Sequence, residues 1–412
     1  RAVGWRMRLS SNWGGWSMNK CKLGDLFYIK QGYAFKSEKY VSHSNYILCT
    51  LANFSESNNF KFSPEKATYY PDEFSHEFIL CENDLIIPLT EQVVGLFGNT
   101  AFVPKTEGFQ FVLNQRVGKI IPYEEKADKL FLHYLLSTQL VRNQIEATAS
   151  GTKQRNTSPD KIYDVTVWVP DIDQQRIIGR YLYSLEQKCN VNNKICSELE
   201  VMAKALYDYW FVQFDFPDEN GKPYRTSGGE MVWNELLKRE IPKGWNVTNI
   251  GNFTTVVTGK EDANFSSPNG KYKFFTCSQE TLLCDTPAFS GQAVLIAGNG
   301  DFNVKHYSGE FNAYQRTYVL IPENQVYYGA MYISSKNQIQ AFKNGSNGSI
   351  VKFITKGDVE NIPFILPNDD SIFHQINKLI EKIELCEREN EELTKFRDWL
   401  LPMLMNGQAR VE

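Results

Sequence analysis

Two stretches of the chain carry a heptad rhythm. After Pro170 the seam positions are Ile178, Leu182, Leu185, Cys189, Asn192, Cys196, Leu199, Ala203 and Leu206. After Pro367 they are Ile372, Ile376, Leu379, Ile383, Cys386, Asn390, Leu393, Arg397, Leu400 and Leu404. Steps of four and three alternate, which keeps one face of an α-helix apolar and predicts two long helices that pair along a seam. Each seam has one asparagine near its middle. Setting Asn192 opposite Asn390 in an antiparallel pair brings Leu182 to Leu400, Leu199 to Ile383, Ala203 to Leu379, Leu206 to Ile376 and Cys196 to Cys386. Only Leu185 then meets a charge, Arg397, whose stem can lie on apolar surface with its head in water. A buried amide finds its partner in one alignment only, so this pairing makes the asparagines the register key; placing both at exposed flanks is the other reading. Apolar residues off the seam (Ile177, Tyr181, Tyr207, Trp210, Ile380 and Trp399) mean either that further helices pack alongside or that the globular parts of the chain cover them.

Upstream of each heptad stretch the period changes to short β-branched and aromatic runs between Gly, Asn and Pro turns. Phe78–Cys81, Val117–Ile121, Tyr318–Ile321 and Ser349–Ile354 read as strands, with helical stretches at Lys129–Ala147 and Gln325–Phe342. These runs recur in the same order. Asn249-Ile-Gly-Asn-Phe-Thr-Thr-Val-Val-Thr-Gly259 echoes Lys22-Leu-Gly-Asp-Leu-Phe-Tyr-Ile-Lys-Gln-Gly32, an offset of 227. Asp84-Leu-Ile-Ile-Pro-Leu resembles Ala293-Val-Leu-Ile-Ala-Gly. Asn114-Gln-Arg-Val-Gly-Lys-Ile-Ile-Pro122 matches Tyr314-Gln-Arg-Thr-Tyr-Val-Leu-Ile-Pro322 at an offset of 200. Gly151-Thr152 with Lys161–Pro170 matches Gly348-Ser349 with Asp358–Pro367 at 197. A shared order of pieces means two copies of one α+β unit, each running into a long helix. Val212–Trp245, with its Gly, Pro and Ser turns, reads as a linker.

A length of 412 residues with 42% hydrophobic content allows two ordinary domains. No apolar run is long enough to cross a membrane or to act as a signal peptide. Eight cysteines without CxxC spacing and five histidines in no cluster exclude a zinc site and a disulfide scaffold, so reduced thiols in cytoplasm are expected. A net charge of −4 counts against a nucleic-acid binder unless the binding face differs from the average or partners supply positive charge. No Asn/Asp-Pro-Pro-Tyr/Phe loop, GxGxxG turn or GxxxxGK[ST] loop is present, so adenine methylation, dinucleotide binding and P-loop motor chemistry are excluded. Ala297-Gly-Asn-Gly-Asp301 is too short for the second of these.

Several pieces resemble the specificity (S) subunit of Type I restriction–modification systems. They are Ala205-Leu-Tyr-Asp-Tyr-Trp-Phe-Val-Gln-Phe-Asp-Phe-Pro217, Asn220-Gly-Lys-Pro-Tyr-Arg-Thr-Ser-Gly-Gly229, Ile241-Pro-Lys-Gly-Trp245 and Arg397-Asp-Trp-Leu-Leu-Pro-Met-Leu-Met-Asn-Gly-Gln408. The first copy departs from the Gly-Trp opening, with Trp16-Ser-Met-Asn-Lys-Cys-Lys before Leu23-Gly24. The resemblance implies a non-catalytic subunit of a methyltransferase/endonuclease complex. It would read a bipartite, asymmetric site in double-stranded DNA, one half-site per domain, and dock two methyltransferase (M) subunits and restriction/translocase (R) subunits. It implies no cofactor in this chain, S-adenosylmethionine being held by the methyltransferase. Helices of about 35 residues extend ~50 Å at 1.5 Å per residue, enough to set two domains in separate major-groove segments. The alternative of another class is a coiled-coil scaffold that does not bind DNA.

The expected architecture is α+β: two target-recognition domains separated by two long antiparallel coiled-coil helices with pseudo-two-fold symmetry. Residues 1–19 read as a leader outside the native fold, with Met18 as the natural start. Residues 20–170 form the first target-recognition domain, 171–211 the first spacer helix and 212–245 a linker. The second domain is 246–367 and the second spacer helix 368–412. Base reading needs Asn, Gln, Arg, Lys or acidic side chains on loops, and phosphate contacts need cations and small hydroxyls. The candidates are Thr90, Glu91, Gln92, Arg116, Thr152, Lys153, Gln154 and Arg155 in the first copy. In the second they are Asn299, Asp301, Asn303, Lys305, His306, Arg316, Asn344, Asn347 and Lys352, with Lys343 and Ser346 beside them. Gln115-Arg116 recurs as Gln315-Arg316, so this pair is assigned to phosphate contact or domain packing rather than to sequence choice. No metal site is expected.

Overall fold

A computed structural model describes residues 7–9, 17–55, 58–91, 95–151, 154–343 and 353–411, with main chain alone at 7–9 and 341–343. The chain divides into two compact units, residues 1–189 with 391–412 and residues 190–390. Each holds one copy of the repeat and half of each long helix. These helices, Ile172–Tyr207 and Ser371–Met405, have 36 and 35 residues. The expected domain boundaries set the helices apart from the domains. Packing instead divides both helices near their middles.

In the first unit the central sheet is ordered Phe27–Gln31, Val117–Pro122, Leu85–Pro88, Ala101–Phe102, all neighbours antiparallel. Tyr46–Cys49 pairs in parallel with Gln110–Leu113, making a second, three-stranded sheet with Tyr69–Tyr70. The two helices Lys129–Ser137 and Gln139–Thr148 replace the single helix expected at Lys129–Ala147, because Thr138 at the joint is extended. Phe78–Cys81 is not a strand; a 3-10 turn ends at Phe78, and Ile79 makes an isolated bridge to Val112. Met7–Leu9, expected to lie outside the fold, pairs with Ala409–Val411, and Asn19–Lys22 pairs with Thr166–Val169. Strand pairing of this kind satisfies backbone groups and leaves no period in so short a sequence.

The second unit uses the same plan in one six-stranded sheet: Thr254–Thr258, Thr317–Pro322, Phe289–Ala297, Val304–Ala313, Tyr272–Phe275, Leu282–Cys284. Here too one pair is parallel, Tyr272–Phe275 with Val304–Ala313. Asn246–Asn249 pairs with Pro363–Leu366, as Asn19–Lys22 does with Thr166–Val169. The repeated glycines have a packing reason. A Cβ at Gly32 would lie 2.1 Å from the Asn114 carbonyl oxygen, and one at Gly259 would lie 1.9 Å from that of Ala313. Of the strand expected at Ser349–Ile354, residues 349–352 lie outside the described residues; Ile354 is buried in a loop.

Val212–Trp245 is not a loose linker. A π turn, Asp208–Val212, and a hairpin, Met231–Asn234 with Arg239–Pro242, fold onto the second unit's core. Trp245 stacks on Phe216 at 4.7 Å between ring centroids, and Phe211 stacks on Phe373 at 5.6 Å. Phe214, Phe216 and Trp245, packed with Trp210 and Phe211, outweigh the turn residues that made the segment read as a linker, since each buries a large apolar area.

Within each unit the long helices pair and also carry the domain. In the first, Ile178, Leu182, Leu400 and Leu404 are buried in one cluster with Ile177 and Tyr181, while Leu185 and Leu393 are half-buried. In the second, Ala203, Ile376 and Ile383 share a core with Cys196, Leu199, Leu206 and Leu379, and buried Asn192 bonds to Asn390. Ile177, Tyr181, Tyr207, Trp210 and Ile380 are covered by the domain of their own unit. Trp399 is exposed and stacks on Phe396.

Each domain is latched to a long helix by the same chemistry. Tyr134 donates to Glu186 at 2.7 Å beside buried His133, whose Nε2 lies 3.8 Å from that carboxylate. In the second unit Tyr328 donates to Glu384, and His306 Nδ1 lies 3.3 Å from it. A side-chain amide completes each latch. Gln175 accepts from Asp128 N–H at 3.1 Å and donates to the Pro170 carbonyl at 3.0 Å. Asn377 accepts from Gly329 N–H at 2.7 Å and donates to the Gln325 carbonyl at 2.9 Å. Burial drives the Glu186 carboxyl up, and burial with the Arg397 charge drives His133 down to about 3, so this histidine is neutral.

Candidate nucleic-acid interface

Both domains end their central strands in a polar face built on one frame. In the first, Leu89 N–H donates to the Arg116 carbonyl at 2.9 Å; in the second, Gly298 N–H donates to the Arg316 carbonyl at 2.9 Å. The repeated Gln-Arg pair thus sits at the same turn in each copy, where its main chain ties two strand ends together. Arg116 is half-buried and Arg316 exposed at that turn.

In the first domain Thr90 and Glu91 are buried. Glu91 takes Leu96 and Phe97 N–H at 3.0 and 3.2 Å and the Arg155 guanidinium at 2.7 Å. Thr90 donates to Asn156 at 2.8 Å, and residues 90–91 pair antiparallel with 155–156. These contacts turn Thr90 and Glu91 inward, as supports of the loop that follows. Arg155 spends its charge on Glu91 and also donates to the Glu146 carbonyl at 3.0 Å. What this face turns outward is Gln115, the Arg116 side chain, Asn156 and the half-buried Gln154. Gln92, Thr152 and Lys153 lie outside the described residues. A second loop joins the face through Arg142, which donates to Asn58 at 2.9 Å and to Asn99, while Asn99 donates to the Ser55 carbonyl at 3.0 Å.

In the second domain Asn299 and Asp301 occupy the turn after Phe289–Ala297, with Asp301 exposed. Asn303, Lys305 and His306, also expected on the surface, are turned inward. Asn303 is buried and donates to the Cys277 carbonyl at 2.8 Å. Lys305 donates to the Ser278 carbonyl at 2.8 Å, and burial lowers its pKa. His306 faces Glu384 on the long helix. Asn303, Lys305 and His306 read as a surface loop in sequence. Here Lys305 and His306 lie half-buried on the ten-residue strand Val304–Ala313, and Asn303 is buried at its entry. Asn344, Asn347 and Lys352 lie outside the described residues.

The sequence reading missed the loop these side chains support. Ser278, Gln279 and Glu280 are exposed and follow the strand Tyr272–Phe275. Cys277 bridges them to the turn at Arg316, its thiol donating to the Arg316 carbonyl at 3.3 Å. The polar run after an apolar strand was the available signal. Parallel pairing of Lys273 with Phe311 and Phe275 with Ala313, far along the chain, carries the run to this face and leaves no local trace.

Among the described residues no group of three or more His, Cys, Asp or Glu side chains is arranged to hold a metal, and no helix is long and apolar enough to cross a membrane. A doubled α+β frame, with unlike polar loops and a pair of heptad helices, defines a repeat-built protein of two related domains. The sequence model of the Type I restriction modification DNA specificity domain matches residues 16–201 and 242–395, and the chain belongs to that family. It is similar to the EcoDI specificity subunit of Escherichia coli, 34% identical over 180 residues, spanning 42% of this chain but only 40% of that subunit. The MjaIX specificity subunit of Methanocaldococcus jannaschii is 22% identical over 329 residues, 73% of each chain. The fold is shared with the S subunit of a Type I system from M. genitalium at a TM-score of 0.60 and 16% identity, over 96% of this chain and 98% of that one.

Proposed function

We propose that this chain is the sequence-reading subunit of a Type I restriction–modification complex, recognising a bipartite, asymmetric DNA site with one domain per half-site. The observation that carries this reading is a common frame with unlike loops. Leu89–Arg116 and Gly298–Arg316 make one bond in both copies, while the side chains around them differ. Equal frames give equal docking on a duplex, and unequal loops give unequal half-sites. In this reading the long helices dock two methyltransferase subunits, nuclease subunits join that assembly, and S-adenosylmethionine is held by the methyltransferase. The acidic balance of the chain, −4, makes partner cations part of DNA affinity.

The test is methylome sequencing of cells that express the chain with its methyltransferase partner, alongside selection from random duplexes by the purified complex. The expected result is one split motif, modified in both halves. Enrichment of nothing would leave a protein-joining scaffold as the function.

A further inference from the structure

We propose that Ser278, Gln279 and Glu280 read base edges in the second domain's half-site, and that Lys305 and Asn303 hold this loop without touching DNA. The inference rests on the reading above and adds residues to it.

The loop is fixed from beneath. Lys305 Nζ donates to the Ser278 carbonyl at 2.8 Å and lies 3.5 Å from the Glu280 carbonyl and 3.4 Å from Thr281 Oγ1. Its stem runs beside Phe275, with Nζ 5.8 Å from the ring centroid. Asn303 holds the Cys277 carbonyl. Two short bonds set the turn itself: Ser278 N–H to Thr276 Oγ1 and Glu280 N–H to Ser278 Oγ, both 3.2 Å. An ammonium is costly to remove from water unless its donors are used. Spending one on the carbonyls of a surface turn is the arrangement expected where a turn must keep its shape before its partner arrives.

What the turn presents fits base reading. Its carbonyls are engaged by the protein, whereas the Gln279 and Glu280 side chains point to solvent, beside the turn at Arg316. A glutamine amide can bond an adenine edge at two atoms, and a carboxylate accepts from the cytosine amino group. The first domain builds the matching segment differently. After Tyr46–Cys49, Asn53 accepts from Thr50 N–H at 2.8 Å and donates to the Lys61 carbonyl at 3.0 Å, so the turn closes on its own residues. The frame is common and this loop is not, which is where a difference between half-sites must reside.

The experiment uses the complex with methyltransferase subunits and a random duplex pool. Gln279→Ala and Glu280→Ala are expected to relax preference at one base pair each in the second half-site, by roughly 5- to 150-fold, leaving the first half-site sharp. Lys305→Met is expected to blur the same positions while the slope of affinity against salt stays unchanged. A lysine on a phosphate would instead lower that slope by about one. A lowered slope with a sharp motif overturns the role given to Lys305. An unchanged second half-site in both alanine variants overturns the reading role, even if Lys305→Met does not fold. If the wild-type complex still selects a split motif in those cases, the proposed function stands; if it selects none, both fall.

Discussion

Asn192 Nδ2 donates to Asn390 Oδ1 at 2.9 Å, so the seam asparagines of the two long helices lie side by side. Asn192 is 1% exposed and also donates to Glu389 at 2.7 Å, while Asn390 donates to Asn193 at 2.8 Å. An amide sunk in an apolar seam costs stability unless its partner sits at one level, which makes such a pair a register key. Replacing Asn390 with Val removes one of the two acceptors of the buried Asn192 amide nitrogen and is expected to destabilise the unit by about 1–3 kcal/mol. Replacing both with Val restores apolar contact and is expected to cost less than the single change. Urea unfolding of the two singles and the double measures this; additive losses would show that the amides do not depend on one another.

Cys196 and Cys386 approach one another in the same seam. Burial and the neighbouring Cys386 thiol push Cys196 up to about 11. The thiolate is the reactive species, so a disulfide between them is expected to form slowly at pH 7 and faster as the pH approaches 9–10. Mass spectrometry after mild oxidation of the folded protein would find the cross-linked peptides. Failure to bridge at high pH, with the helices intact, would place these helices in another register.

The parts legible in sequence were those with a period. Heptad steps marked both long helices, and the repeats at Leu23-Gly24 and Ile250-Gly251 exposed the doubled fold. Side-chain direction inside a strand was not legible: Asn303, Lys305 and His306 have the chemistry of a DNA-facing loop, yet each is consumed within the protein. Glu91 misled in the same way, since a carboxylate paired with an arginine 64 residues later looks like any surface acid. Long-range pairing decided these cases, and a single sequence does not record it.

The latch of the first unit predicts an acid-sensitive domain. Burial and the Arg397 charge hold His133 at about 3, against an ordinary 6.5, so stability is complete above pH 6.5 and falls as the pH drops from there toward 3. Glu186 acts with the opposite sign. Its raised carboxyl favours the protonated form in the folded state, which stabilises below the ordinary 4.5 and is lost as the pH rises through the raised value. Between pH 6.5 and 4.5 the histidine therefore works against folding on acidification, by at most about 1.4 kcal/mol per pH unit for one proton. His133→Asn is expected to flatten that acid limb, and Glu186→Gln to gain stability relative to wild type above pH 5. Amide exchange in Lys129–Ser137, followed from pH 7 to 5, reads the effect within this unit. An unchanged acid limb in His133→Asn would remove the histidine from the account.

Exchange of residues 246–367 for the matching segment of another family member tests the modular arrangement directly. The ends of this segment are neighbours: Asn246 is opposite Leu366 and Asn249 opposite Pro363 in one antiparallel pair. A graft therefore begins and ends in the same two strands and leaves the long helices unbroken. The incoming domain must still seat on the recipient helix, where Tyr328 meets Glu384 and Gly329 meets Asn377. A Cβ at Gly329 would stand 2.8 Å from the Asn377 oxygen, so donors with a larger residue there are expected to fold poorly unless Asn377 is shortened as well. With both contacts kept, the modified motif is expected to change in one half alone, because the Glu91–Arg155 loop and its frame lie entirely outside the graft. Methylome sequencing of the chimera reads both halves at once. A change in the untouched half would mean that the two domains do not read independently, and the one-domain, one-half-site assignment would have to be given up.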